Sequence, residues 1–83
     1  MINHNDYAII GYCAVCGQGR QFVARETSTA ISYVCCEDCE SEWASPVDAK
    51  DFQSALQKRH GASTYVTIGE LRRHSWFDNV LNK

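Results

Sequence analysis

Nowhere does this chain contain the ~18 consecutive apolar residues that a membrane-crossing helix needs. Its opening, Met1-Ile2-Asn3-His4-Asn5-Asp6, has neither the basic start nor the apolar core of a secretory leader. A soluble, cytosolic protein without a membrane partner is expected. Proline occurs once in 83 residues, and no low-complexity tract marks a linker, so a single domain spanning residues 1–83 is expected. A basic excess is also lacking, because the formal charge is −2, the wrong sign for a chain built to grip phosphate backbones. Paired carboxylates, an activated nucleophile and a phosphate-cradling glycine loop are missing as well, and His60 and His74 have no catalytic constellation nearby in the sequence. Neither enzymatic activity nor a small-molecule substrate is expected.

Cysteine, by contrast, is plentiful. There are five, an odd number, and they pair at metal-ligand spacing, which fits a reducing compartment better than a disulfide framework. Cys13-Ala-Val-Cys16 and Cys36-Glu-Asp-Cys39 are separated by nineteen residues. A two-residue gap lets one tight turn aim both sulfurs at a point, and two such turns facing each other make the tetrahedral sulfur cage that Zn²⁺ prefers. One structural zinc ion on Cys13, Cys16, Cys36 and Cys39 is therefore expected. Two complete pairs close the coordination shell, leaving no position for a reacting water. A redox dithiol needs its pair at a helix start in a βαβ setting, which is absent here.

The main alternative metal is iron in a rubredoxin-like site, whose knuckles each carry a glycine after the second cysteine. Here Gly17 follows Cys16 but Glu40 follows Cys39, so the second turn is expected to close differently from the first. Cys35 competes with Cys36 only through a three-residue gap to Cys39. His4 competes only if the first knuckle reaches the N-terminus. A bound metal matters for a chain this short, because structural zinc contributes an apparent ~10–16 kcal/mol in finger peptides. The metal-free form is expected to be largely unfolded.

Around the cysteines, 6–12 is rich in aromatic and β-branched residues and reads as a strand. Residues 20–26 alternate Phe22 and Ala24 against Gln21, Val23 and Arg25; 30–35 alternate Ile31, Tyr33 and Cys35 against Ala30, Ser32 and Val34. The polar Thr27-Ser28-Thr29 between them makes a hairpin. Strand, knuckle, hairpin and second knuckle together, over residues 7–43, resemble the zinc-ribbon class. Beyond them, Ser45 as cap, Pro46 at the first helical position and Asp48 behind predict a helix over 46–59, with Ala49, Phe52 and Leu56 on its apolar face. Gly61-Ala62-Ser63 is a linker, and Thr64-Tyr65-Val66 extends or adds an edge strand. Thr67 with Glu70 opens a second helical stretch, and Ser75 with Asp78 divides it or not. The expected class is α+β, a small zinc ribbon over 7–43 followed by two or three short helices over 45–83.

Charge separates along the chain. Residues 1–44 hold two arginines against six carboxylates, whereas residues 45–83 hold six basic and four acidic side chains. Glu37, Asp38, Glu40 and Glu42 surround the second knuckle and present a fixed negative field to a basic protein partner. Trp43 is expected to pack over that knuckle, and Trp76 is a candidate interface anchor. In size, acidity and ribbon-plus-helix layout the chain resembles bacterial immunity proteins that inhibit toxins. The resemblance implies a basic toxin domain as partner, contacted by Glu37, Asp38, Glu40, Glu42, Trp43 and Trp76. The alternative is a nucleic-acid-associated regulator that uses Lys58, Arg59, Arg72 and Arg73 on phosphates.

Overall fold

The computed structural model describes residues 5–83, so His4 lies outside the described residues. Five strands form among them: β1 (Ile9–Tyr12), β2 (Arg20–Glu26), β3 (Ser32–Cys36), β4 (Glu42–Trp43) and β5 (Ser63–Tyr65). All pairings are antiparallel, in the order β1-β2-β3-β4, with β5 also on β2. Strand β2 is the centre. Along one edge it meets β1 at Arg20 to Phe22 and β5 at Ala24 to Glu26; along the other it meets β3 from Gln21 to Arg25. The edge strand expected around 64–66 is thus formed, one residue earlier than the sequence suggested.

Alternation along β2 and β3 divides the sheet into two faces. Val23 stands opposite Val34, and Val34 opposite Trp43. These three side chains are fully buried, and with Ile68, Leu71 and Val66 they make the core. The other face carries Phe22, Ala24, Tyr33 and Cys35. Here Phe22 stacks on Tyr65 at 4.8 Å between ring centroids, and Tyr33 stacks on His60 at 3.9 Å. The hairpin turn closes through Ala30 N–H to Glu26 O at 2.8 Å, with Ala30 at φ 60°. Ala30 therefore belongs to the turn, and β3 starts at Ser32. The C-terminal segment seals the edge of β1: Leu81 N–H donates to Ile9 O at 2.8 Å, and Asn82 takes Ile9 N–H and gives to Tyr7 O.

The expected helices do not form. Among the described residues there is no α-helix, only 3₁₀ turns at Asp48–Lys50, Phe52–Ser54, Gly69–Leu71 and Ser75–Asn79, so the fold is a small antiparallel sheet rather than α+β. The start signals are nonetheless real. Asp48 N–H donates to Ser45 Oγ at 3.3 Å. Thr67 and Glu70 form a reciprocal capping box, Glu70 N–H to Thr67 Oγ1 at 3.3 Å and Thr67 N–H to Glu70 Oε1 at 3.2 Å. What fails is propagation, which is marginal in any stretch this short without a packed apolar face.

In the first stretch the sheet takes the carbonyls a helix would need. Gln21 Nε2–H donates to Ala49 O at 2.8 Å, and Trp43 Nε1–H donates to Asp51 O at 3.1 Å. Asp51 turns extended (φ −124°, ψ 119°) and its carboxylate accepts Gln53 N–H. Further on, Leu56 N–H pairs with Glu42 O at 2.7 Å, which draws the chain out straight beside β4. Of the intended apolar face only Ala49 is buried, at 1% exposed; Phe52 is 60% exposed and Leu56 38%. In the second stretch the break falls at His74 (ψ 146°). Its Nδ1 accepts Trp76 N–H at 3.0 Å, so His74 rather than Ser75 is the cap.

Candidate metal centre

The sulfurs of Cys13, Cys16, Cys36 and Cys39 all lie within 4.8 Å of one another. Across the two knuckles, Cys13 Sγ is 3.5 Å from Cys39 Sγ and Cys16 Sγ is 3.7 Å from Cys36 Sγ. Sulfurs at the corners of a tetrahedron with bonds of about 2.3 Å stand roughly 3.8 Å apart. The donor set therefore fits a tetrahedral thiolate-bound metal ion, and the four cysteines are positioned to hold one, as in a zinc-ribbon-like site. All five cysteines are free thiols. Cys13 and Cys36 are buried, Cys16 and Cys39 half-buried.

Each knuckle is built by backbone N–H groups turned toward sulfur. Val15 and Cys16 donate to Cys13 Sγ at 3.2 and 3.3 Å, Gly19 to Cys16 Sγ at 3.5 Å, and Asp38 to Cys36 Sγ at 3.3 Å. Such donors favour thiolate over thiol. The N–H groups of Gly19 and Gln18 bring the Cys16 thiol down to about 6. Burial opposes ionisation of Cys39, but its hydrogen bonds with Ser41, Cys13 and Cys36 together outweigh that, and its pKa falls. Cys36, deeper, is pushed up to about 12 by burial, with Cys13 and Cys16 adding to the rise. Crowded thiolates repel, and a divalent cation at their centre offsets that charge.

The second turn closes like the first, contrary to the sequence expectation. Gly17 sits at φ 72° and Glu40 at φ 63°. Glu40 thus adopts the left-handed conformation that glycine adopts without cost. Absence of a glycine after Cys39 therefore does not discriminate zinc from iron. Another glycine, Gly19, was overlooked in the sequence. A Cβ there would lie 2.5 Å from Cys36 Sγ, so the strand leaving the first knuckle passes against a ligand of the second.

Sheet alternation settles the rivalry between adjacent thiols. Cys36 shares the core face with Val34 and reaches the other three sulfurs, whereas Cys35 stands opposite Phe22 and Glu42 on the other face. Burial, then the Glu42 carboxylate, pushes the Cys35 thiol up to about 11, so it stays a neutral thiol.

The acidic residues are not one uniform rim. Glu37 is exposed and clasped by Arg20, Nε–H to Oε2 at 2.7 Å and Nη2–H to Oε1 at 3.1 Å, which lowers its pKa. Glu40 is exposed and pairs with Arg59 at 3.4 Å, while Asp38 is exposed. Glu42 is 8% exposed and Trp43 fully buried; Trp43 lies in the core opposite Val34 and offers no surface to a partner. Trp76 is half-buried, packed partly against the core. His60 has the carboxylate partner that its sequence neighbours lack: Nδ1 lies 2.8 Å from Glu42 Oε1, and its backbone N–H donates to the same oxygen at 2.9 Å. Eighteen residues of separation hid that pair. Of the basic residues, Arg59 is engaged by Glu40, and Lys58, Arg72 and Arg73 are exposed. No helix is long and apolar enough to cross a membrane among the described residues. Comparison with protein-family models, with curated proteins and with solved structures finds no match for this chain.

Proposed function

We propose that the chain is a non-enzymatic, single-domain, cytoplasmic zinc-ribbon module that binds a basic protein partner, and that the partner is a toxin domain it inhibits. The observation that carries this reading is the closed set of four cysteines. Four protein ligands saturate a tetrahedral metal, so zinc here is structural, and what it holds rigid is the knuckle bearing Glu37, Asp38 and Glu40. Zinc, with no redox chemistry of its own, suits a site whose whole effect is to fix two turns.

Support for a protein partner comes from that exposed acidic knuckle. The Glu40–Arg59 contact is long and open to solvent, and exposed pairs of this kind contribute about 0–1 kcal/mol. A cationic partner can displace Arg59 at little cost. The same charges repel phosphate backbones, which disfavours the nucleic-acid reading.

The test is charge reversal at Glu37, Asp38 and Glu40 to lysine in the zinc-loaded chain. Binding is measured by surface capture against each candidate basic toxin domain that its native host encodes. Association slowed by about tenfold or more, and further dependent on salt, is the expected result. Equal association of the reversed and natural chains would sink the proposal.

A further inference from the structure

On the face of the sheet away from the core lies a cleft of about 410 Å³. Tyr33, Tyr65 and His60 wall it, and Glu37, Glu40 and Glu42 line it; Arg59 is the one guanidinium among its lining residues. Its chemistry is therefore aromatic and anionic together. The decisive residue is Glu42, whose side chain is 10% exposed. Its Oε1 is occupied twice over by His60, while Oε2 makes no hydrogen bond among the described residues. No buried side-chain polar atom there lacks a partner, so Oε2 must be reached by solvent, and the cleft is where Glu42 meets it. Oε2 therefore has no partner but solvent, and a donor entering the cleft can take the place of water on it.

We propose that this cleft receives the guanidinium of an arginine side chain, presented by the basic partner. A guanidinium is planar, stacks on aromatic rings and spreads its donors in a fork, so one group can reach Glu42 Oε2 inside and Glu40 at the mouth. The chain supplies its own precedent, since Arg59 already stands at the mouth on Glu40 at 3.4 Å. An incoming arginine replaces Arg59 there. That the arginine comes from a protein partner rests on the function proposed above; the affinity of the cleft for a guanidinium does not.

The experiment titrates the zinc-loaded, ¹⁵N-labelled chain with N-acetyl-arginine methylamide and with the citrulline derivative, its neutral near-isostere. Expected are saturable shifts at Cys35, Glu42, His60 and Gly61 in the millimolar range, at least about tenfold weaker for citrulline. Glu40→Gln should weaken the arginine derivative about twofold to fivefold, and Arg59→Gln should strengthen it by a similar factor, the scale of one exposed ion pair. Equal response to both derivatives, shifts away from the cleft, or equally tight binding of N-acetyl-lysine methylamide titrated in parallel overturns the proposal. Specific binding together with unimpaired toxin association of the charge-reversed chain would leave the cleft standing and remove the function proposed above. No specific binding removes the cleft whatever the association data show.

Discussion

Replacing Gly19 by alanine tests the metal centre more sharply than removing a cysteine, because it leaves every ligand in place. The added Cβ would stand 2.5 Å from Cys36 Sγ, 3.0 Å from Asp38 Cβ and 3.1 Å from Asp38 N. Non-bonded heavy atoms prefer about 3.5–4.0 Å, so the sulfur must retreat by about 1 Å. A sulfur held about 2.3 Å from a metal cannot do so and remain a ligand. The alternative is to part β2 from the second knuckle, which breaks the 3.1 Å bond from Glu37 N–H to Arg20 O. Overpacking alone costs about 1–3 kcal/mol, and strain on the ligand adds to it. Taking about 3 kcal/mol as the floor, and folding as coupled to metal, apparent zinc affinity should fall at least about 100-fold. Gly17→Ala is the control: nothing lies within 4 Å of its added Cβ, and only φ 72° opposes it. That conformation costs about 1–2 kcal/mol for an L-residue, or about 5- to 30-fold. Zinc competition against a chromophoric chelator, under reducing conditions, ranks the two. If Gly19→Ala binds within threefold of the natural chain, or better than Gly17→Ala, the packing argument is wrong.

Three further outcomes are expected. Cys35→Ser should retain one metal per chain by elemental analysis and Cys36→Ser should lose tight binding; the reverse result would exchange their roles. Stripping the metal with a chelator should abolish the sheet signal in circular dichroism, since an apparent ~10–16 kcal/mol exceeds the net stability of most domains; a fold that survives stripping refutes a metal-dependent core. Glu26 is held below the usual carboxylate range first by Thr29 Oγ1–H at 2.7 Å and then by Gly61 N–H. Because its folded pKa is the lower one, its contribution to stability is complete above the ordinary value of about 4.3 and is lost as pH falls through the folded value. Thr29→Val should raise the Glu26 carboxyl titration seen by NMR, and an unmoved titration would remove Thr29 as the cause.

The cysteine pairs and the strands around 6–12, 20–26 and 30–35 were legible in the sequence because both are short-range patterns, whereas the two-residue β4 was not. A two-residue cysteine gap defines one turn, and Phe22/Ala24 against Val23/Arg25 defines one alternation, with no help from the rest of the chain. The helices were misread for the opposite reason. Ser45, Pro46 and Asp48 are sound start signals, and Thr67–Glu70 does close its capping box. What ends the first stretch is Gln21 and Trp43, side chains from 28 and 8 residues away on the sheet that take Ala49 O and Asp51 O. No local window contains Gln21, and nothing in the window that contains Trp43 marks its indole as a donor to Asp51 O. Glu40 shows the same limit in backbone form, adopting φ 63° because the second knuckle requires it and not because its residue type prefers it.

The register of β3 links the two sites that the sheet otherwise separates. Cys35 and Cys36 are neighbours on opposite faces, so a slip of one residue would send the metal ligand into the cleft and the spare thiol to the knuckles. Packing of Val34 between Val23 and Trp43 opposes that slip from the core side, and the close pass of Gly19 opposes it at the ligand. Glu42 lies opposite Cys35 in β4, and β4 follows directly from the second knuckle. A metal held by Cys36 and Cys39 would therefore also fix the residue that gives the cleft its charge. The cysteine cluster and the surface where recognition is proposed to occur are thus joined through one short strand.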